Sequence, residues 1–281
     1  HVPDLTQEET KLTQSPAFAA EQFITYFGVP LLAKGKLVGV LEIFHRSSLD
    51  PGRQWVELVE MVAGLAAIAI DHQNLQKELE RSRNEITKGF DAIIEGWAQA
   101  LELRGIEPPG HANRAVDLTL RLADKLGLSG DTLVELRRGA LLHDIGKMGI
   151  PDQVLHKGKE LTKEERKMIG RHPIEAYDLL GKIDALQSAR DIPLYHHERW
   201  DGTGYPHGLK GDKIPFQARI FAIVDVWDAL LTDRPYRDAW PRAKAVAHLK
   251  EQAGKHFDPR VVDAFLEIIE SDRELEQKHK K

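Results

Sequence analysis

The chain has 281 residues and no cysteine. Disulfides, iron–sulfur clusters, thiolate metal sites and cysteine nucleophiles are therefore excluded together, and any metal must be held by His, Asp or Glu. Lys+Arg is 39 against Asp+Glu at 44, a net charge of −5, which is the wrong sign for a general binder of nucleic-acid polymers; the length fits about two domains at roughly 150 residues each.

The longest apolar run, Met61 to Ile70, is well short of the ~20 residues a spanning helix needs. No basic start precedes an apolar stretch, so no signal peptide is read. The expectation is a cytoplasmic protein without a membrane segment. Residues 1–22 are polar and weakly patterned. Phe27 to Leu32, the turn Ala33-Lys34-Gly35-Lys36, and Leu37 to Phe44 read as strand, turn, strand. Asp50-Pro51-Gly52 punctuates the end of that hairpin.

No proline follows Pro51 until Pro108. The stretch is rich in Ala, Leu, Glu, Lys and Gln and predicts one long helix, with a break near Gly89 or Gly96. Leu75, Leu79, Ser82, Ile86, Phe90, Ile93, Trp97 and Leu101 recur along it in steps of three and four, the seam of a coiled coil. Two readings stay open: packing within its own domains, or a parallel helix pairing two chains into a homodimer.

From Ala112 the pattern is helical nearly to the end. Helices are predicted at 112–126 and 131–142, the second running straight into His143-Asp144. Thr162 and Glu165 form a capping box that opens a helix at about 163. That helix should end near His172, because the residue before Pro173 avoids helical geometry. Further helices are predicted at about 174–182, 187–198, 215–231, 241–254 and 259–277.

The chemistry is concentrated in histidines. His111, His143, His172, His196 and His197 stand near predicted helix ends or beside carboxylates, with His143-Asp144 and His196-His197-Glu198 contiguous. A lone histidine is most simply a surface or capping residue. Adjacent pairs in a helical domain favour a metal site, and imidazole with carboxylate suits Fe, Mn, Ni, Zn or Co.

The string LLHDIGKMGIP at 141–151 resembles the HD superfamily of metal-dependent phosphohydrolases. Together with RHP at 171–173, HHERWDGTGYPHGLKGDKIP at 196–215 and IFAIVDVWDALLTDRPYR at 220–237, it resembles the HD-GYP family over about residues 90–270. The resemblance implies a ligand set of His143, Asp144, His172, His196, His197, Asp225 and His111, with Asp144 bridging two ions. Glu107, four residues before His111, matches the glutamate of members with a third ion and favours a trinuclear over a binuclear site. Two or three divalent transition-metal ions, iron or manganese first, are the implied cofactors. Lys147 matches the lysine that meets a substrate phosphate. Arg234 and Arg237 match further phosphate or guanine contacts, and Gly204, Tyr205 and Pro206 form the loop at the substrate end. Asp228, three after Asp225, shares its helix face and has two open readings, support for a ligand or an acceptor holding the fold.

The implied function is hydrolysis of cyclic di-GMP to linear pGpG and on to GMP, by in-line attack of a bridging hydroxide. Two alternatives remain: an HD phosphohydrolase acting on another cyclic dinucleotide or nucleotide, and a cyclic di-GMP binding module with little turnover. At the front, VPLLAKGKLVGVLEIF at 29–44 and LAAIAIDHQNL at 65–75 resemble the second half of a GAF domain, implying a regulatory input whose ligand is unknown. The expected architecture is α+β overall: a partial GAF-like α/β part at 1–72, a linker helix at 73–101, and an all-α HD-GYP domain at 102–281.

Overall fold

The computed structural model of the protein describes residues 1–7, 20–233 and 238–279. The chain divides into two compact units, His1–Lys88 and Gly89–Lys281.

In the first unit, β1 (Thr25–Ala33) and β2 (Lys36–His45) form an antiparallel hairpin. The turn residues Lys34 and Gly35 both have positive φ, 50° and 77°, the two-residue turn whose twist matches that of paired strands. Val29, Leu31 and Ala33 alternate on the buried face of β1. They pack on Val59, Ala63 and Ala67 of α1 (Arg53–Leu103), which recur at fourfold spacing.

Helix α1 runs unbroken through both glycines at which a break was predicted. A glycine costs only about 1 kcal/mol in a helix, and the strong helix formers around Gly89 and Gly96 outweigh it. The predicted seam divides. Leu75, Leu79, Ile86 and Ile93 are exposed. Phe90 and Leu101 instead join Ile94 and Ala98 in the core of the second unit. No helix among the described residues is long and apolar enough to cross a membrane.

The second unit is helical: α2 (His111–Lys125), α3 (Asp131–Leu141), α4 (Asp152–Leu155), α5 (Lys163–Ile169), α6 (His172–Leu180), α7 (Asp191–Tyr195), α8 (Phe216–Leu231), α9 (Arg242–Gln252) and α10 (Pro259–His279). With the hairpin ahead of it, the chain is α+β with an all-α second unit. The core is built around α8, whose Ile220, Phe221, Ile223, Val224 and Leu230 are buried on nearly every side. They pack on Leu122 of α2, Leu136 and Ala140 of α3, and Val261 and Phe265 of α10. A second cluster joins Ile94, Ala98 and Leu101 of α1 to Leu141, Leu142, Leu180 and Leu186. Burial of Leu141 and Leu142 carries the next residues, His143 and Asp144, into the interior.

Two helix boundaries differ from the sequence expectation, and both concern site histidines. The predicted capping box is present: Thr162 Oγ1 accepts the Glu165 N–H at 3.2 Å, and Glu165 Oε2 accepts the Thr162 N–H at 2.7 Å. Helix α5 nevertheless stops at Ile169, and His172 opens α6 instead of closing α5. Pro173 then falls in the first turn, where a missing N–H costs nothing. The helix predicted at 187–198 is a 3-10 turn, Asp184–Ala189, followed by the short α7. Pro193 again sits in a first turn, and His196 and His197 lie just past the end of α7.

Gly146 marks the closest approach in this arrangement. A Cβ there would collide with the His172 carbonyl oxygen and crowd the Ala176 backbone nitrogen. Gly146→Ala is expected to cost about 1–3 kcal/mol, the range for overpacking a tight contact. The urea midpoint of the second unit should fall with the slope unchanged; an unaltered midpoint would contradict this packing.

Candidate metal centre

Four imidazoles are oriented through Nδ1, three by backbone carbonyls and one by a carboxylate. His143 Nδ1 donates to the Ala140 carbonyl at 2.8 Å, and His172 Nδ1 to that of Ile169 at 2.7 Å. His196 Nδ1 donates to the carbonyls of Ile192 and Pro193, each at 3.0 Å. His111 Nδ1 donates to Asp228 Oδ2 at 2.7 Å, and Asp228 is gripped by Arg114 through Nε at 2.6 Å and Nη2 at 3.0 Å. Placing a histidine just past a helix end lets it use a carbonyl that the helix leaves open. With Nδ1 donating, each ring in its neutral form presents an Nε2 lone pair.

Those lone pairs converge on carboxylates. Asp144 Oδ1 lies 3.1 Å from His172 Nε2 and 3.8 Å from His196 Nε2, while its Oδ2 lies 3.4 Å from His143 Nε2. Glu107 lies 3.2 Å from His111 Nε2 and 3.8 Å from His143 Nε2. Asp225 Oδ1 borders the group, 3.8 Å from His111 Nε2. Two sets of donor atoms result: Asp144 with His172, His196 and His197, and Glu107 with His111 and His143. In each set the atoms lie within 4.8 Å of one another.

The donor chemistry fits cations. His111 Nε2 and Asp144 Oδ1 are buried and have no hydrogen-bond partner among the described residues. Buried polar atoms normally find a partner, and here His111 Nε2 faces the carboxylates of Glu107 and Asp225 while Asp144 Oδ1 faces the Nε2 atoms of His172 and His196. A cation at each place would satisfy them. The ligands would be the residues of the two sets with Asp225 at their edge.

The charges respond to this crowding. Burial, and then the charge of Asp144, push the Glu107 carboxyl well above the ordinary range. Burial also opposes ionisation of Asp144, but Lys147 and His143 outweigh it and hold that carboxyl well below its ordinary value. Lys147 Nζ contacts Asp144 Oδ2 and stands 3.7 Å from Glu107 Oε1. Burial would discharge this lysine, yet the two carboxylates keep its pKa raised. Burial lowers His196 to about 3, with His143 adding to the effect. His143 moves up, because Asp144 beside it outweighs its burial.

The glycine-rich loop after His197 is anchored by a residue to which the sequence reading gave no role. Glu198 is buried, and its carboxylate accepts the N–H groups of His207 at 2.7 Å and Leu209 at 3.0 Å. A carboxylate directly after the histidine pair was the available clue. Gly204 passes so close to the backbone of Glu198 and Arg199 that a Cβ would collide there. Tyr205 stacks on His197, with ring centroids 4.7 Å apart and planes 26° apart. Pro206 follows in a cis peptide. Arg234 and Arg237 lie outside the described residues.

A helical bundle carrying a buried His-Asp constellation of this kind defines the HD class, and comparison with known proteins agrees. The HD domain family profile matches residues 95–261, and the GAF domain profile matches residues 1–70. The chain belongs to the HD domain family, in its HD-GYP branch, with a GAF domain at its front. Over 195 residues it is 42% identical to the cyclic di-GMP phosphodiesterase response regulator RpfG of Xanthomonas campestris pv. campestris (strain 8004), aligning 69% of this chain with 52% of that protein. Over 221 residues it is 38% identical to a cyclic di-GMP phosphodiesterase of Vibrio cholerae serotype O1, aligning 73% of this chain with 45% of that one. The chain thus spans about half the length of these curated relatives. The crystal structure of the V. cholerae cyclic GMP-AMP-specific phosphodiesterase V-cGAP3 shares the fold, with a TM-score of 0.53 and 20% identity over 65% of this chain and 49% of that one.

The upward pKa shifts at Glu107 and His143 mean that protons compete with a cation for both residues. Manganese binding should therefore release protons and tighten as the pH rises from 6 to 8. Calorimetry in buffers of different ionisation enthalpy measures the release. Binding that neither releases protons nor varies with pH would contradict the site.

Proposed function

We propose that the protein is a metal-dependent phosphodiesterase that hydrolyses cyclic di-GMP to linear pGpG and then to GMP. The observation that carries this reading is the pair of donor sets, with Asp144 of the first 3.4 Å from His143 of the second and Lys147 beside it. The names of RpfG and of the V. cholerae relative support the substrate.

In this reading Asp144, His172, His196 and His197 hold one ion, and Glu107, His111 and His143 hold further ions with Asp225. Iron or manganese is the expected element, and Glu107 favours three ions over two. When bound, the ions supply Lewis acidity, polarising a phosphodiester and lowering the pKa of water. In the reaction a water oxygen bonds to phosphorus and the bond from phosphorus to the 3′ oxygen breaks. Asp144 acts as a fixed anion shared between the two sets. Lys147 keeps its proton and neutralises charge growing on the phosphoryl oxygens. Tyr205, held against His197 and flanked by Gly204 and Pro206, shapes the substrate end. Arg234 and Arg237 are assigned to phosphate or guanine contacts.

The same reading assigns residues 1–72 to a regulatory GAF-like domain with an unidentified ligand, 73–101 to a linker, and 102–281 to the catalytic domain. It assumes a cytoplasmic location. The exposed Leu75, Leu79, Ile86 and Ile93 support pairing of α1 with that of a second chain.

Manganese- or iron-loaded protein should convert cyclic di-GMP to pGpG and GMP. Asp144→Ala should abolish turnover. Lys147→Ala should lower kcat about 10²–10³-fold with the metals retained, the scale for losing one charge-stabilising donor. Product chromatography beside metal analysis checks both. Undiminished turnover in Asp144→Ala would remove its role. Clear preference for cyclic GMP-AMP would change the substrate, and tight binding without turnover would make the chain a binding module.

The dimer is tested separately by sedimentation. The wild type should behave as a dimer, and Leu79→Lys combined with Ile86→Lys as a monomer. A monomeric wild type would contradict pairing through the helix.

A further inference from the structure

Arg104 lies one residue past the end of α1. Its Nη1 donates to the Met148 carbonyl at 2.6 Å. Its Nη2 donates to the Ile150 carbonyl at 2.9 Å and to Asp152 Oδ1 at 2.8 Å. Met148 lies within the 3-10 turn Ile145–Gly149, which carries Lys147, and Ile150 and Asp152 follow directly after it. A single 3-10 turn has few internal bonds to fix its course. The planar guanidinium fork holds two carbonyls and a carboxylate in one fixed geometry, which the compact ammonium of a lysine does not reproduce.

The same turn of chain reaches the other side of the metal centre. Glu102 accepts the Gly110 N–H at 3.0 Å. Gly110 has φ 74° and stands directly before His111. Residues 102–104 thus contact both the segment holding Glu107 and His111 and the segment holding Lys147. Lys147 and Glu107 face each other across that gap at 3.7 Å.

We propose that Arg104 is a positioning residue: it fastens the Lys147 segment to the end of α1 and thereby sets how Lys147 meets Asp144 and Glu107. Anything that shifts the end of α1 then shifts Lys147. The kinetic part of this proposal rests on the phosphodiesterase reading; the structural part does not.

The test compares wild type, Arg104→Lys and Arg104→Ala as manganese-loaded full chains. Amide hydrogen exchange over residues 145–152 should rise about tenfold or more in both variants, while exchange over 190–197 and the manganese content stay unchanged. On cyclic di-GMP, kcat should fall about tenfold or more, and this loss should vanish in a Lys147→Ala background, where nothing remains to be positioned. Unchanged exchange at 145–152 would overturn the proposal. So would losses that multiply in the double variant, which would give Arg104 a role independent of Lys147. If the wild type leaves cyclic di-GMP intact, the phosphodiesterase reading fails, and the exchange result alone decides the role of Arg104.

Discussion

The structure depends on imidazoles and carboxylates that point at one another inside a protein. Asp144 is buried among the Nε2 atoms of His143, His172 and His196, and its Oδ1 has no hydrogen-bond partner among the described residues. Taking a carboxylate out of water costs several kcal/mol even after relaxation. The Lys147 ammonium offsets part of that, and bound cations would offset the rest. The helical core holds these groups in place. Leu141 and Leu142 bury the end of α3, Phe221 lies 4.8 Å from the His143 ring, and helix-end carbonyls fix the tautomers.

Local geometry and global packing agree at this point. Helices α3, α5 and α7 all stop within three residues of a site histidine. Each stop frees carbonyls, and a histidine placed there finds its acceptor without a second side chain. His111 differs, because it opens α2 instead of following a helix. Its acceptor must come from elsewhere, and Asp228 of α8 supplies it with Arg114 as a brace. The loop after His197 is held in a related way, with the Glu198 carboxylate closing two of its amides.

Much of this was legible in the sequence. The hairpin, the long helix and the capping box at Thr162 follow local rules, and the structure contains all three. The histidines and acids singled out by motif lie together in the second unit, while Arg234 and Arg237 fall outside the described residues. What the sequence hid is tertiary. Phe90 and Leu101 fit a seam by spacing, but only a neighbouring surface decides which face of a helix is covered. The helix ends at Ile169 and Tyr195 turn on where one proline falls within a turn. The Asp228 carboxylate was visible on the right helix face, while its partner lies 117 residues away in sequence. Arg104 gave no signal at all, since its acceptors are backbone carbonyls of a distant segment.

The most direct test is anomalous diffraction at the manganese and iron edges from crystals of anaerobically loaded protein. The account predicts separate peaks on either side of Asp144, one within reach of His172, His196 and His197 and at least one within reach of Glu107, His111 and His143. A cavity with the same side-chain arrangement and no peak after loading, or a peak seated away from Asp144, would contradict it.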